Sequence, residues 1–493
     1  MPFEIDYLAL GPELIIVATI VAVIGLDLAL PRRQKYWTAT VAVAGTAAAL
    51  LPLGVLAVNG ETVSMFDGSY VVDEFALVLK GLFLVAAYIV FLMSHSYIEG
   101  DRYYQGEYYF LLLSSLLGSL VMASARDLII LFVGLELVTG PLYLLAGWRK
   151  GDAKSNEASM KYFILGVLST ALLLYGMSLL FGLTGQVGFA EIAQATQGMS
   201  GEPALIMAIL FMMVGFGFKI SAVPFHFWAP DTYEGAPTPV TAYLSVNSKA
   251  AGFVAMLMVM YQALPGVTEI WAPALWLLAA LSMTIGNLSA LRQTNIVRLL
   301  AYSSVAQAGF MLVPFAAAAV SGADLEEAFG ATLIYLVIYA IMNLGAFAVV
   351  IAGARRTRSG EIAQWAGLAR VDPILGVLTA VFFFSLAGIP PLAGWFAKFE
   401  MFRSVMIDDP ATIALAVIAA VNAVIGFYYY AKVVKSVWLD DPVGEFAEGV
   451  EQAPAGSLRL ALGVAVALTV AIGVYPSIAA FVGEAAQVLA TGG

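Results

Sequence analysis

The chain has 493 residues, 61% of them hydrophobic and 12% charged, with a mean hydropathy of +0.90. Soluble domains carry about 25% charged residues, and so much apolar surface on one water-soluble globule would leave large exposed patches, so the solvent is lipid. Cysteine is absent and histidine occurs twice, at His95 and His226, which argues against thiolate zinc sites, iron–sulfur clusters and bis-histidine haem in this chain. A net charge of −11 and the absence of a glycine-rich nucleotide fingerprint give no support for nucleic-acid or nucleotide binding.

An apolar run needs about 20 residues to cross a hydrocarbon core of about 30 Å. That window predicts fourteen spans, at 10–30, 37–58, 74–96, 108–124, 127–148, 158–183, 204–228, 239–263, 270–290, 297–319, 328–353, 373–400, 410–436 and 458–482. Connections are short except at 185–203, with an amphipathic piece around Phe189–Ala195, and at the acidic loop Trp438–Gly456. The first run carries Glu13 and Asp27 and lacks a basic leader, so it is expected to persist as span 1 rather than act as a cleaved signal. The expected organisation is one transmembrane domain over 1–493: three N-terminal spans (1–107), a first repeat (108–263), a second repeat (270–436) and a last span (458–482). Most Lys and Arg, among them Arg32, Arg33, Lys35, Arg102, Arg149, Lys150, Arg298, Arg355, Arg356 and Arg358, fall on one side. The positive-inside rule makes that side cytoplasmic and turns both termini outward.

A charge at the centre of a membrane helix costs roughly 2.5–3.5 kcal/mol even on insertion scales. Lys80, Lys161, Lys219, Lys249, Lys398 and Glu136 all sit in or near span interiors, so they are expected to share a polar seam. Lys80 and Lys161 lie near the starts of their spans and can equally snorkel to the interface. The bland reading of each of the others is a structural ion pair. Spans 7 and 12 carry proline beside such lysines: Lys219 with Pro224 and His226, and Gly388-Ile389-Pro390-Pro391 with Lys398. Proline removes a backbone donor and frees the carbonyl four residues back; in lipid, such breaks are tolerated where they line a polar cavity, though a plain kink is the bland alternative. The breaks lie five spans apart, so spans 4–8 and 9–13 read as two inverted five-helix repeats.

Burial favours the neutral amine of a lysine, and a nearby carboxylate favours the ammonium. At about 6 Å and an effective dielectric of about 20 that attraction is about 3 kcal/mol. A shift of Glu136 relative to Lys219 by a few ångströms would therefore switch the amine between proton acceptor and donor. Histidine titrates near neutral pH, so His226 suits a relay, although at a break it can simply satisfy freed carbonyls. No nucleophile–base pair for covalent catalysis is apparent.

These residues carry a family resemblance. The stretch His226-Phe227-Trp228-Ala229-Pro230-Asp231, continuing through Gly235-Ala236-Pro237-Thr238-Pro239, resembles the loop after helix 7 in the antiporter-like membrane subunits of respiratory NADH:quinone oxidoreductase (complex I). Leu300-Ala301-Tyr302-Ser303-Ser304-Val305 resembles the start of helix 10 in that group, and Gly388-Ile389-Pro390-Pro391 with Lys398 its helix 12. The similarity covers nearly the whole chain. Within the group the chain resembles the N type: Lys398 differs from the glutamate usual in M-type subunits, and the expected end after span 14 differs from the L type with its lateral helix. The resemblance implies an all-α polytopic membrane fold with about 14 transmembrane helices, two inverted five-helix repeats and breaks at prolines in helices 7 and 12. It implies that Glu136 and Lys219 are the helix 5–helix 7 pair, Lys249 the central lysine, Lys398 the lysine of the outward half-channel and Lys161 a further helix 6 lysine. The implied activity is proton translocation driven by NADH oxidation and quinone reduction in other subunits. No cofactor is expected in this chain; NADH, FMN, iron–sulfur clusters and quinone are expected in partner subunits. The implied partners are an M-type and small K- and J-type membrane subunits, within a bacterial inner membrane. A subunit of a multi-subunit cation/proton antiporter is the competing reading, and an inert scaffold a third.

Overall fold

The structure, a computed structural model, describes residues 5–99, 105–405, 409–443, 446 and 455–485. Arg102 and most of the acidic loop Trp438–Gly456 lie outside the described residues. In chain order the helices are α1 (Gly11–Ala29), α2 (Tyr36–Asn59), α3 (Glu74–Glu99), α4 (Gln105–Ala123), α5 (Leu128–Ala146), α6 (Ala153–Thr184), α7 (Phe189–Ala195), α8 (Pro203–Lys219), α9 (Trp228–Gly235), α10 (Thr238–Tyr243) and α11 (Lys249–Met258). They continue with α12 (Thr268–Ala290), α13 (Ile296–Ser321), α14 (Leu325–Thr357), α15 (Leu368–Val371), α16 (Pro373–Ala387), α17 (Ala393–Ser404), α18 (Pro410–Leu439), α19 (Gly456–Val474) and α20 (Ser477–Glu484). Two strands, β1 (Val63–Met65) and β2 (Tyr70–Val72), form an antiparallel hairpin between α2 and α3, with Met65 opposite Tyr70.

Helix starts follow the polar residues that precede each apolar run. Asp127, Asp152, Asn295, Asp324, Asp372 and Asp409 each accept a hydrogen bond from a first-turn backbone N–H. Among the described residues, twelve helical segments are long and apolar enough to cross a membrane, and α8 and α16 are shorter apolar helices of 17 and 15 residues. The two short ones are those whose spans were expected to break. The span predicted at 204–228 leaves the helix at Lys219, and the span at 373–400 stops at Ala387 and resumes at Ala393. The last predicted span also divides, ending at Val474 and restarting at Ser477, and the hairpin was not foreseen. The most enclosed segments are Thr238–Ala263, α14 and α13, with α1, α2 and α18 at the rim. The polar groups described below are therefore carried mainly by the central helices.

Between lipid-embedded helices close approach comes from small residues rather than from hydrophobic exclusion. Gly118 of α4 lies against α5, where an added Cβ would stand 2.7 Å from the Val138 nitrogen and 2.8 Å from the Gly134 oxygen. Those are backbone atoms and cannot rotate away. Gly118→Val is expected to destabilise the fold by about 1–3 kcal/mol or more, seen as a lower melting temperature and less folded protein in detergent. Gly140→Val, where a Cβ meets nothing within 4 Å, is the control and should leave both unchanged.

Candidate functional site

Helix α8 ends at Lys219 because the chain turns through Ser221, at φ +58°, and Pro224 cannot continue the backbone ladder. Polar groups at this break find partners: the Phe218 carbonyl accepts from the Ser221 amide and from Trp228 Nε1, each at 3.0 Å, and the Val223 amide donates to Ser282 Oγ at 2.9 Å. Lys219 projects toward α5. Its Nζ stands 2.8 Å from Glu136 Oε1 and 2.8 Å from Thr139 Oγ1, while Thr170 Oγ1 donates to the same carboxylate at 2.9 Å. The lysine side chain is 1% exposed and the glutamate 31%, so the pair joins the protein interior to the edge of the chain. Gly252 of α11 packs on the lysine, since a Cβ there would lie 2.7 Å from Lys219 Cβ.

A π-helical turn, Leu244–Ser248, precedes Lys249; such turns commonly mark functional positions. Lys249 has no carboxylate partner among the described residues. Its Nζ donates to the Ser304 carbonyl at 2.7 Å and to Ser304 Oγ at 2.5 Å. From Ser304 a line of polar groups follows α13. Ser303 Oγ and the Tyr430 hydroxyl are 2.5 Å apart, Gln307 Nε2 reaches Tyr430 at 3.3 Å, and Tyr335 donates to Gln307 Oε1 at 2.7 Å. The line ends at the second break. Pro390 and Pro391 cannot donate to the carbonyls four residues before them, Leu386 and Ala387. Those two carbonyls accept from Gln307 Nε2 at 3.1 Å and from Lys398 Nζ at 2.6 Å. Lys398 also lies 5.2 Å from the centre of the Phe310 ring. Ser303 and Ser304 stood in the quoted Leu300–Val305 stretch without an assigned role and Gln307 and Tyr430 were not singled out from the sequence, although two serines and a glutamine within about one turn of a largely apolar run were a readable signal.

The remaining lysines divide. Lys161 is 42% exposed and pairs with Glu157 at 2.6 Å and Asp231 at 2.5 Å, apart from the buried line. Arg298 bridges Asp231 (2.8 Å) and Glu234 (2.9 Å), and Lys154 reaches Glu234 at 2.7 Å. Lys80 does not snorkel: it is fully buried and 2.9 Å from Glu13. His226 is buried beside the break with Nδ1 unpartnered, and among the described residues no hydrogen bond or ion pair joins it to Lys219 or Lys249. Ser221 Oγ, two residues from Lys219, is likewise buried without a partner.

Residues 125–425 match the family described as NADH:quinone oxidoreductase/Mrp antiporter, transmembrane. The NADH-quinone oxidoreductase subunit N of Trichlorobacter lovleyi is 41% identical over 471 residues, covering 94% of both chains. The chain belongs to this family. A chain from respiratory complex I of Thermus thermophilus with bound Aureothin superposes with a TM-score of 0.76 at 32% identity, covering 95% of this chain and 98% of that one. One from the Mrp complex of Dietzia sp. DQ12-45-1b gives 0.84 at 20% identity over 98% of each, a likeness of fold. Glu136, Lys161, Lys219, His226, Lys249 and Lys398 all fall within the family match; Glu13 and Lys80 fall before it.

The network around Asp231 and Glu234 is a partly exposed cluster of ion pairs within the family region. Burial raises both carboxyls, but hydrogen bonds from Lys161 and Arg298 to Asp231, and from Lys154 and Arg298 to Glu234, outweigh it and hold both below their ordinary values. Their stabilisation is therefore fully present above the ordinary carboxylate range, near 4, and is lost as pH falls through the lowered values. Solvent screening limits each pair to about 1 kcal/mol or less. The melting temperature should fall on acidification below that range, and Arg298→Ala should make that fall smaller and end it at a higher pH. Identical pH profiles for the two proteins would count against the network as a stabilising element.

Proposed function

We propose that this chain is a proton-translocating membrane-arm subunit of a respiratory NADH:quinone oxidoreductase, with electron transfer confined to other subunits. What carries the reading is a row of buried polar groups in two hydrogen-bonded stretches, Lys249 with Ser304, and Ser303 through Tyr430 and Gln307 to the Leu386 carbonyl, the second ending one residue before the Ala387 carbonyl that holds Lys398. No structural need of the bundle calls for so many polar groups at its centre, since each must be hydrogen-bonded to avoid a desolvation cost. The quinone-oxidoreductase name of the 41% identical relative supports this reading over a cation/proton antiporter subunit, which would use the same residues.

In this mechanism Glu136 holds the Lys219 ammonium when the two are in contact. Their attraction is about 6 kcal/mol at the observed separation and an effective dielectric of about 20, and about 3 kcal/mol at about 6 Å. Withdrawing the carboxylate, which reaches the edge of the chain and so can be drawn by a neighbouring subunit, frees the lysine to pass its proton inward. The step from Lys219 to Lys249 needs water, for which the Ser221 hydroxyl and His226 Nδ1 are buried anchors. Lys249 then passes the proton along the α13 line to Lys398, from which it leaves on the far side. Lys161 serves the exposed network at the uptake end. We read spans 4–8 and 9–13 as inverted repeats meeting at this line, the basic side as cytoplasmic and both termini as outside, in a bacterial inner membrane. The neighbours would be an M-type subunit and small K- and J-type subunits.

Lys219→Ala should assemble with its complex and support NADH oxidation, yet lose at least about tenfold in proton pumping, since it removes the interaction estimated above at several kcal/mol. Acidification of sealed vesicles on addition of NADH, with quinone reduction followed in parallel, checks this. Full pumping by an assembled Lys219→Ala complex rejects the mechanism.

A further inference from the structure

The N-terminal helices contain a second buried ion pair that the route above leaves unused. Glu13 stands in the first turn of α1. Lys80 lies about 9 Å along α3 from its first residue. The hairpin sets the Tyr70 hydroxyl against both. Lys80 Nζ is 2.9 Å from Glu13 Oε1 and donates to the Tyr70 hydroxyl at 3.1 Å, and that hydroxyl donates to the same carboxylate oxygen at 2.8 Å. Lys80 is fully buried, and Glu13 and Tyr70 are 6% and 4% exposed. The bonds have a direction: ammonium to phenol oxygen, phenol hydrogen to carboxylate. Glu13 Oε2 is buried with no partner. A clamp built for stability would satisfy both carboxylate oxygens, because an orphaned buried acceptor costs about 1–3 kcal/mol and calls for a functional or solvent partner.

Beside the triad is a cavity of about 760 Å³ whose wall includes Ser69, Val71, Asp73, Arg126, Gln186 and Glu191. Strand alternation turns Ser69 and Val71 to the cavity and Tyr70 and Val72 to the interior. Asp73 and Arg126 are 2.6 Å apart at this wall. The Arg126 amide donates to the Ser69 carbonyl at 2.9 Å and Tyr70 bridges Ala125, so the Asp73–Arg126 pair belongs both to the cavity wall and to the backbone that holds Tyr70.

We propose that Glu13, Tyr70 and Lys80 form a second proton-exchange site that communicates with this cavity through the Asp73–Arg126 pair; the proposal rests on the reading of the chain as a proton carrier. In the transfer the Lys80 N–H bond breaks and its proton goes to the Tyr70 oxygen, while the Tyr70 hydrogen goes to Glu13. Ammonium and carboxylate become amine and carboxylic acid, with the tyrosine unchanged. The carboxyl then turns about its Cγ–Cδ bond, which brings the protonated oxygen to the unpartnered position of Oε2, and releases its proton there while the amine takes up another, so each cycle moves one proton across the triad.

The test uses the whole complex in sealed vesicles, with infrared difference spectra taken across a pH titration and proton yield per NADH measured alongside. Wild type should show a carboxyl C=O band that is absent in Glu13→Gln and shifted in Tyr70→Phe, and the double variant Glu13→Gln/Lys80→Met should give a lower proton yield. A structural clamp predicts the opposite: a band indifferent to Glu13→Gln and Tyr70→Phe, and wild-type yield in the charge-neutral double variant. Either result overturns the proposal. If the Glu13 or Lys80 variants do not assemble, Tyr70→Phe decides, since it keeps the ring and removes only the relay hydroxyl. Lys219→Ala run in parallel separates the two readings. Loss of pumping there with full yield in the double variant defeats this site alone, whereas full pumping there defeats the main route regardless of the carboxyl band.

Discussion

Lys219 loses its water of hydration on entering the middle of this helix bundle, and the Glu136 carboxylate and Thr139 hydroxyl, each at 2.8 Å, replace it. Removing one member of such a pair leaves an uncompensated buried charge, which costs far more than the pair itself contributes. The surroundings of the pair follow from that requirement. Thr170 binds the same carboxylate, α8 stops where the amine must turn aside, and Gly252 leaves room for the lysine stem. The asymmetry of burial is as informative as the contact: the lysine is enclosed and the glutamate reaches the edge, so the member free to respond to a neighbour is the carboxylate.

The broken helices solve a related problem with backbone atoms. A continuous helix consumes its own carbonyls, so it has none to offer a buried cation. Pro390 and Pro391 withdraw two donors in succession, and the carbonyls left open, Leu386 and Ala387, become the acceptors for Gln307 and Lys398. At the other break the Phe218 carbonyl and the Val223 amide are taken up by Trp228 and Ser282. The two breaks are not copies in detail. Lys219 closes the segment before its break and Lys398 lies in the segment after it.

The ionisable groups also differ in how they meet their neighbours. Lys219 and Lys80 each have a carboxylate, whereas Lys249 and Lys398 are held by neutral oxygens of Ser304 and Ala387. An amine bound by neutral acceptors gains less from carrying charge than one beside a carboxylate.

Apolar run length, the prolines at 224, 390 and 391 and the rarity of charge within the runs were enough to locate most of the membrane helices, the two breaks and the ionisable residues that lie within the runs. These are local properties: transfer into lipid is summed residue by residue along one segment, and proline acts on its own turn. Tertiary structure alone decided who meets whom. Lys80 was ambiguous in the sequence because Glu13 lies on another helix and Tyr70 on a hairpin too short to leave a periodic signal. Lys161, grouped by residue type with the buried lysines, proved to belong to an exposed network with Asp231 and Arg298. The polar line through Ser304, Tyr430 and Gln307 joins α11, α13, α16 and α18, which are distant in sequence. A buried charge dictates that a partner must exist, but hydrogen bonds act through space over about 3 Å, and only the packing of the helices determines which oxygen arrives there.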